Sequence, residues 1–170
     1  MTAVPDAPSL QPDVLERWRR IDELGFAAAF AQGVLPRGPL SEHTGLRLSE
    51  VPGPGRLVFT WTPGPHLANG GGIVHGGYLA MVLDDAAGLA IATREDRFSP
   101  SLTTDLSVTY VRPGVIGAEH RVEGEVLHAG RSRLVADARV LGPDGALVAT
   151  GRGSFVPNRA FGRPAMDAGS

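Results

Sequence analysis

Residues 69–92 read NGGGIVHGGYLAMVLDDAAGLAIA, a glycine loop that passes into an almost unbroken apolar segment. The segment from about 76 to 94 has the length of a helix. Its apolar residues occupy nearly every side, the pattern of a helix buried in a protein rather than laid on its surface. Two adjacent acids, Asp84 and Asp85, interrupt it. A carboxylate in apolar surroundings is costly unless it is paired or hydrogen-bonded. Neighbouring helical residues point about 100° apart, so the two acids cannot share one face. One is expected to face a polar cavity and the other a partner or the surface. The same pattern also fits two acids at a wet interface.

His75 stands where the loop becomes the helix. The amides of Gly76 and Gly77 are then expected to point outward, unpaired, at the positive end of the helix dipole. Such amides stabilise an oxyanion or a polarised carbonyl. A plain loop-to-helix corner would use the same residues. His75 and Asp84 are nine positions apart. On one helix they lie roughly 13 Å apart along the axis and on opposite sides. If both serve one site, one of them must come from a second subunit, as a helix near a two-fold axis would allow.

The flanking segments are β. Before the loop, a short strand is expected at 44–49 and a clearer alternating one at 56–62. After the helix, residues 101–110 alternate, with Leu102, Thr104, Leu106, Val108 and Tyr110 on one face and Thr103 on the other. Arg112-Pro113-Gly114 ends that strand. Further strands are expected at 118–127, 133–141 and 146–155, the last two joined by a Pro143-Asp144-Gly145 turn. Strands on both sides of one apolar helix indicate an α+β domain, an antiparallel sheet wrapped round a long central helix. Residues 13–31 read as an extra N-terminal helix, and 33–39 as a Gly/Pro linker. The division is thus an N-terminal extension over 1–39, with a disordered lead at 1–12, a main domain over 40–157 and a flexible tail over 158–170.

The composition narrows the chemistry. The chain has 170 residues, 42% hydrophobic and 20% charged, with net charge −2. That balance argues against a nucleic-acid partner. There is no cysteine, which excludes disulfides and thiolate catalysis. Every one of the 16 basic residues is arginine, which excludes a Schiff-base lysine and a P-loop. The five histidines have no close metal-ligand spacing, so no metal is expected. The N-terminus lacks the pattern of a signal peptide, and the apolar run is too short and too charged to span a bilayer. No membrane partner is expected, and the cytoplasm is the expected location.

Asn69, then His75-Gly76-Gly77, then Asp84 resembles the phenylacetate-type (PaaI-like) branch of the hotdog thioesterase superfamily. The segments 101–114, 128–132 and 147–151 fit as well, and the likeness covers about residues 40–156. It implies a hotdog fold and hydrolysis of acyl-CoA thioesters by a homodimer or homotetramer, with coenzyme A as part of the substrate and no other cofactor needed. It further implies that the Gly76 amide polarises the thioester carbonyl, and that Asp84, from the opposite subunit, acts as general base or nucleophile. Asn69 and His75 would orient substrate or water, and the Thr103 hydroxyl would assist the carboxylate. Gly77, Arg112 and Arg131 would bind substrate, the arginines near the coenzyme A phosphates. Two rival readings stand beside it. An enoyl-CoA hydratase would need a histidine close after Asp84 on the helix, and none follows. A non-catalytic acyl-CoA-binding module would keep the fold without turnover.

Overall fold

The structure, a computed structural model, describes residues 16, 20, 21, 23–35, 38–94 and 101–157. The expected lead at 1–12 and tail at 158–170 lie outside these residues. Six strands form one antiparallel sheet: β1 Leu46–Gly53, β2 Arg56–Trp61, β3 Ser101–Tyr110, β4 His120–Ala129, β5 Leu134–Leu141 and β6 Leu147–Pro157. Three α-helices are described: α1 Phe26–Ala31, α2 Pro39–Thr44 and α3 Gly76–Ala92. Strand order across the sheet is β1-β2-β4-β5-β6-β3. The connection through α3 therefore carries the chain from β2 to the far edge, where β3 pairs only with β6. The expected antiparallel sheet around one long helix is what the chain forms.

The inward positions of the strands meet the buried side of α3. Leu79, Val82, Leu83, Ala86, Ala87 and Ala90 pack against Phe59, Trp61, Val122, Ala136, Val140 and Phe155. Glycine sets how near the helix can come. A methyl group on Gly124 of β4 would collide with the Ala86 carbonyl oxygen and lie 3.2 Å from the Ala90 Cβ; one on Gly151 would lie 3.5 Å from the Leu83 Cβ. The outward positions carry ion pairs instead. Arg121 bridges Glu50 at 2.8 Å and Glu123 at 2.7 Å, and Arg152 forks onto Asp137. Such exposed pairs add little stability each, and their use here is to keep this face wet. Among the described residues no helix is long and apolar enough to cross a membrane.

Three local features depart from the sequence reading. The expected helix over 13–31 is interrupted at Gly25, whose φ of 76° is a left-handed value that ends the regular coil and starts α1 afresh. Residues 39–44, where the sequence indicates a linker ending at 39, a strand starting at 44 and nothing between, form α2. Pro39 occupies its first turn, where the missing N–H is no loss. β3 carries a bulge between Thr103 and Asp105. Beyond the bulge Leu106, Val108 and Tyr110 face Gly153, Gly151 and Ala149; before it, Thr103 faces Phe155. The extra residue, Thr104, moves Thr103 onto the same inward face as Tyr110. Unbroken alternation had put them on opposite faces.

The N-terminal segment is packed on the domain. Ile21, Phe26 and Ala29 bury with Ala92 of α3, with Leu48, Val51 and Leu89 against them.

Candidate active site

The glycine loop is tied down before the helix begins. Asn69 donates its backbone N–H to the Ile73 carbonyl at 2.8 Å, and its side-chain Oδ1 accepts from Gly71 N at 2.8 Å. His75 N donates to Leu67 O at 2.9 Å, and Val74 N to Gly114 O at 3.0 Å. Gly114 precedes a loop held by the buried His120, which takes the Val115 N–H on Nε2 at 3.3 Å. Asn69 therefore shapes the loop with one half of its amide, and its Nδ2 has no partner among the described residues.

His75 is the N-cap of α3. Its Nδ1 accepts from Gly77 N at 2.9 Å. The expectation of two unpaired amides is thereby reduced to one. Gly77 N–H is used internally, while Gly76 N–H has no hydrogen-bond partner among the described residues. The carbonyl of the same peptide, His75 O, accepts from Tyr78 N at 2.9 Å and Leu79 N at 3.3 Å. Hydrogen bonds to that oxygen polarise the peptide and strengthen its N–H as a donor. The free amide thus stands at the positive end of a buried helix, as an oxyanion donor must. Tyr110, from the end of β3, donates its hydroxyl to Gly76 O at 3.0 Å. A methyl group on Gly76 would lie 3.4–3.6 Å from the Tyr110 ring.

Two turns further on, Asp84 turns toward β3. Thr103 donates to its carboxylate at 3.0 Å. Burial holds the Asp84 carboxyl above the ordinary value of 3.8, and the Thr103 hydrogen bond partly offsets this. Asp85 points elsewhere and has no hydrogen-bond partner among the described residues. It is pushed up to about 6, first by burial and then by the charge of Asp84. The expected difference in direction between the two acids is realised: one meets a hydroxyl donor, the other meets none.

The chain thus brings Asn69, His75, Gly76 and Gly77 to one end of α3, and Asp84 with Thr103 to its middle. Arg112 lies past the end of β3, exposed, with Asp144 at 3.9 Å. Arg131 lies exposed in the β4–β5 turn. Among the described residues no group of three or more His, Cys, Asp or Glu side chains is placed to hold a metal ion. Sequence reasoning missed Tyr110. The available signal was its inward parity with Leu106 and Val108, which points it at α3.

A model of the thioesterase superfamily matches residues 71–149, from the glycine loop through α3 and β3 to β5 and into β6. A conserved Pseudomonas aeruginosa protein of known structure is 36% identical, with a TM-score of 0.65 over 71% of this chain and 94% of that one. The chain belongs to the thioesterase superfamily. Its sheet and central helix are the superfamily's hotdog fold. Within the superfamily, mouse acyl-coenzyme A thioesterase 13 is 30% identical over 82 residues, 48% of this chain. The chain spans only 58% of that relative's length. The Escherichia coli PaaI protein, from the phenylacetic acid degradation operon, shares the fold with a TM-score of 0.68 at 21% identity, over 81% of this chain and 95% of its own. The superfamily match contains His75, Gly76, Gly77, Asp84, Thr103, Arg112 and Arg131, and begins just after Asn69.

Proposed function

We propose that this chain hydrolyses acyl-CoA thioesters, in a PaaI-like site shared between two copies of the chain. The observation that carries this reading is the free Gly76 N–H at the start of α3. A thioester carbonyl oxygen placed there gains a hydrogen bond as it takes on negative charge. The Asp84 carboxylate removes a proton from water as the water oxygen attacks the carbonyl carbon, and the proton passes to the leaving thiolate as the C–S bond breaks, giving acid and thiol. Asn69 Nδ2 and His75 are placed to orient substrate or water, and Gly77 to line the approach. The exposed guanidinium groups of Arg112 and Arg131 suit coenzyme A phosphates. No further cofactor enters this scheme, and coenzyme A esters as substrates place it in the cytoplasm.

The shared site follows from β3. This strand is a sheet edge, and an edge strand of ten residues is a template for pairing with another copy. One end holds Thr103 against Asp84, the other Tyr110 against Gly76. Antiparallel pairing of two such edges about a two-fold axis near the middle of the strand brings the Thr103 end of each copy alongside the Tyr110 end of the other. Asp84 of one copy then reaches Gly76 of the other, which supports the division that helix geometry demands. We further propose that residues 40–157 form the hydrolase domain and that 1–39 is an accessory extension.

The test is release of free thiol from acetyl-, long-chain and phenylacetyl-CoA by the full chain. Turnover of at least one ester, abolished in Asp84→Asn, is the expected result. Tight binding of the esters without thiol release would make the chain a binding module instead.

A further inference from the structure

We propose that Tyr110 is a positioning residue that sets the tautomer and aim of His75 through a hydrogen-bond relay across the Gly76–Gly77 peptide. The proposal rests on the hydrolase reading only for its effect on turnover. The relay itself is geometric. The Tyr110 hydroxyl donates to Gly76 O at 3.0 Å, and the N–H of the same peptide, on Gly77, donates to His75 Nδ1 at 2.9 Å. A hydrogen bond accepted by a peptide carbonyl makes its N–H a stronger donor, so the two bonds reinforce each other. An Nδ1 that accepts carries no proton. The neutral imidazole must then carry its proton on Nε2, which becomes a donor. The relay runs from Tyr110 to Gly76–Gly77 to the Nδ1 of His75, and leaves Nε2–H without a partner among the described residues.

The placement of Tyr110 is suited to this role. Its ring is about half exposed, at 53%, so it contributes little to the core. Its contact is with the first residue of α3, where a methyl group would already touch the ring. It also stands at the end of β3 opposite Thr103, so a paired edge brings it to the site that the second copy's Asp84 completes.

The test uses Tyr110→Phe, which keeps the ring and removes the donor, in the full chain with ¹⁵N-labelled histidine. At a pH of about 8.5, above the ordinary histidine range, long-range ¹H–¹⁵N spectra should show His75 of the wild type as the Nε2–H tautomer. The signal is assigned by its loss in His75→Asn. In Tyr110→Phe the His75 signals should shift toward a mixture of tautomers. kcat should fall about threefold to tenfold, the size of one neutral hydrogen bond, with KM within about twofold. A wild-type His75 protonated on Nδ1, or a Tyr110→Phe variant with unchanged tautomer, would overturn the relay even if kcat fell. A chain that hydrolyses no thioester would remove the hydrolase reading, and the spectra would still decide the relay.

Discussion

Thr103 donates its hydroxyl hydrogen to both oxygens of Asp84, at 3.0 and 3.3 Å, from a strand bulged by one residue to let it do so. The bond favours the ionised carboxylate and works against the burial that raises its pKa. A base acts only when ionised, so in the proposed mechanism the acid limb of the rate profile follows this group. Thr103→Val is therefore expected to move that limb to higher pH and to lower kcat, while Asp84→Asn costs about 10²–10⁴-fold. Rate profiles of the two variants across the acid range check this. A limb that stays in place in Thr103→Val would mean that the hydroxyl does not tune the base.

Asp85 behaves differently. Its carboxyl titrates at about 6 in the folded chain against an ordinary 3.8. Between those values the folded chain holds a proton that the unfolded chain has released, so stability falls as pH rises through this window. Asp85→Asn is expected to stabilise the chain by about 1–3 kcal/mol at pH 8, with the gain shrinking toward pH 4. It should cost far less activity than Asp84→Asn. Melting curves at the two pH values decide it: equal gains at both would show that the carboxyl is not strained by its charge.

Gly124→Ala should be among the most damaging single-methyl changes. The added carbon meets the Ala86 backbone oxygen, which cannot rotate away. A loss of about 3 kcal/mol is expected, or an insoluble product. Gly53→Ala is the control, since a methyl there meets nothing within 4 Å. Similar denaturant midpoints for the two variants would contradict the tight seat of α3.

The proposed division of the site between two copies predicts complementation. His75→Ala and Asp84→Ala dimers should each be nearly inactive, whereas random mixed pairing recovers about a quarter of wild-type activity. In a mixed dimer both defects fall in one site and the other site is intact. Proven subunit exchange without recovery would place both residues in a single chain's site.

Removal of residues 1–38 takes Ile21, Phe26 and Ala29 from Ala92 and bares Leu48, Val51 and Leu89. The melting temperature should drop by at least ~5 °C, with thiol release retained. Complete loss of activity from a folded product would make the extension part of the site.

The legible parts of the molecule were those with a local period. The apolar run of α3, the alternation of β2 to β6 and the Gly-rich junction at His75 all carry their structure in neighbouring residues. Gly25 and Pro39 were visible, but a helix restart and a six-residue helix are too short to leave a period. The bulge at Thr104 has no glycine to mark it, so strict alternation turned Thr103 the wrong way. That Gly77 N–H is spent on His75, or that Tyr110 caps Gly76, depends on side chains meeting across 34 positions or on a rotamer, neither of which leaves a pattern in the chain.

The glycines beneath α3 bear on how this protein can change over time. Because Gly124 and Gly151 let the helix rest almost directly on the strands, α3 can neither sink nor roll without meeting backbone. The seat of its amide end and of its carboxylate on the sheet is therefore held constant whatever the substrate. New acyl preferences should arise by drift in the loops at 62–68 and 115–118, which can lengthen or repack. Position 124 should refuse every side chain, and a selection for altered substrates ought to return libraries that are diverse at the rim and unchanged there.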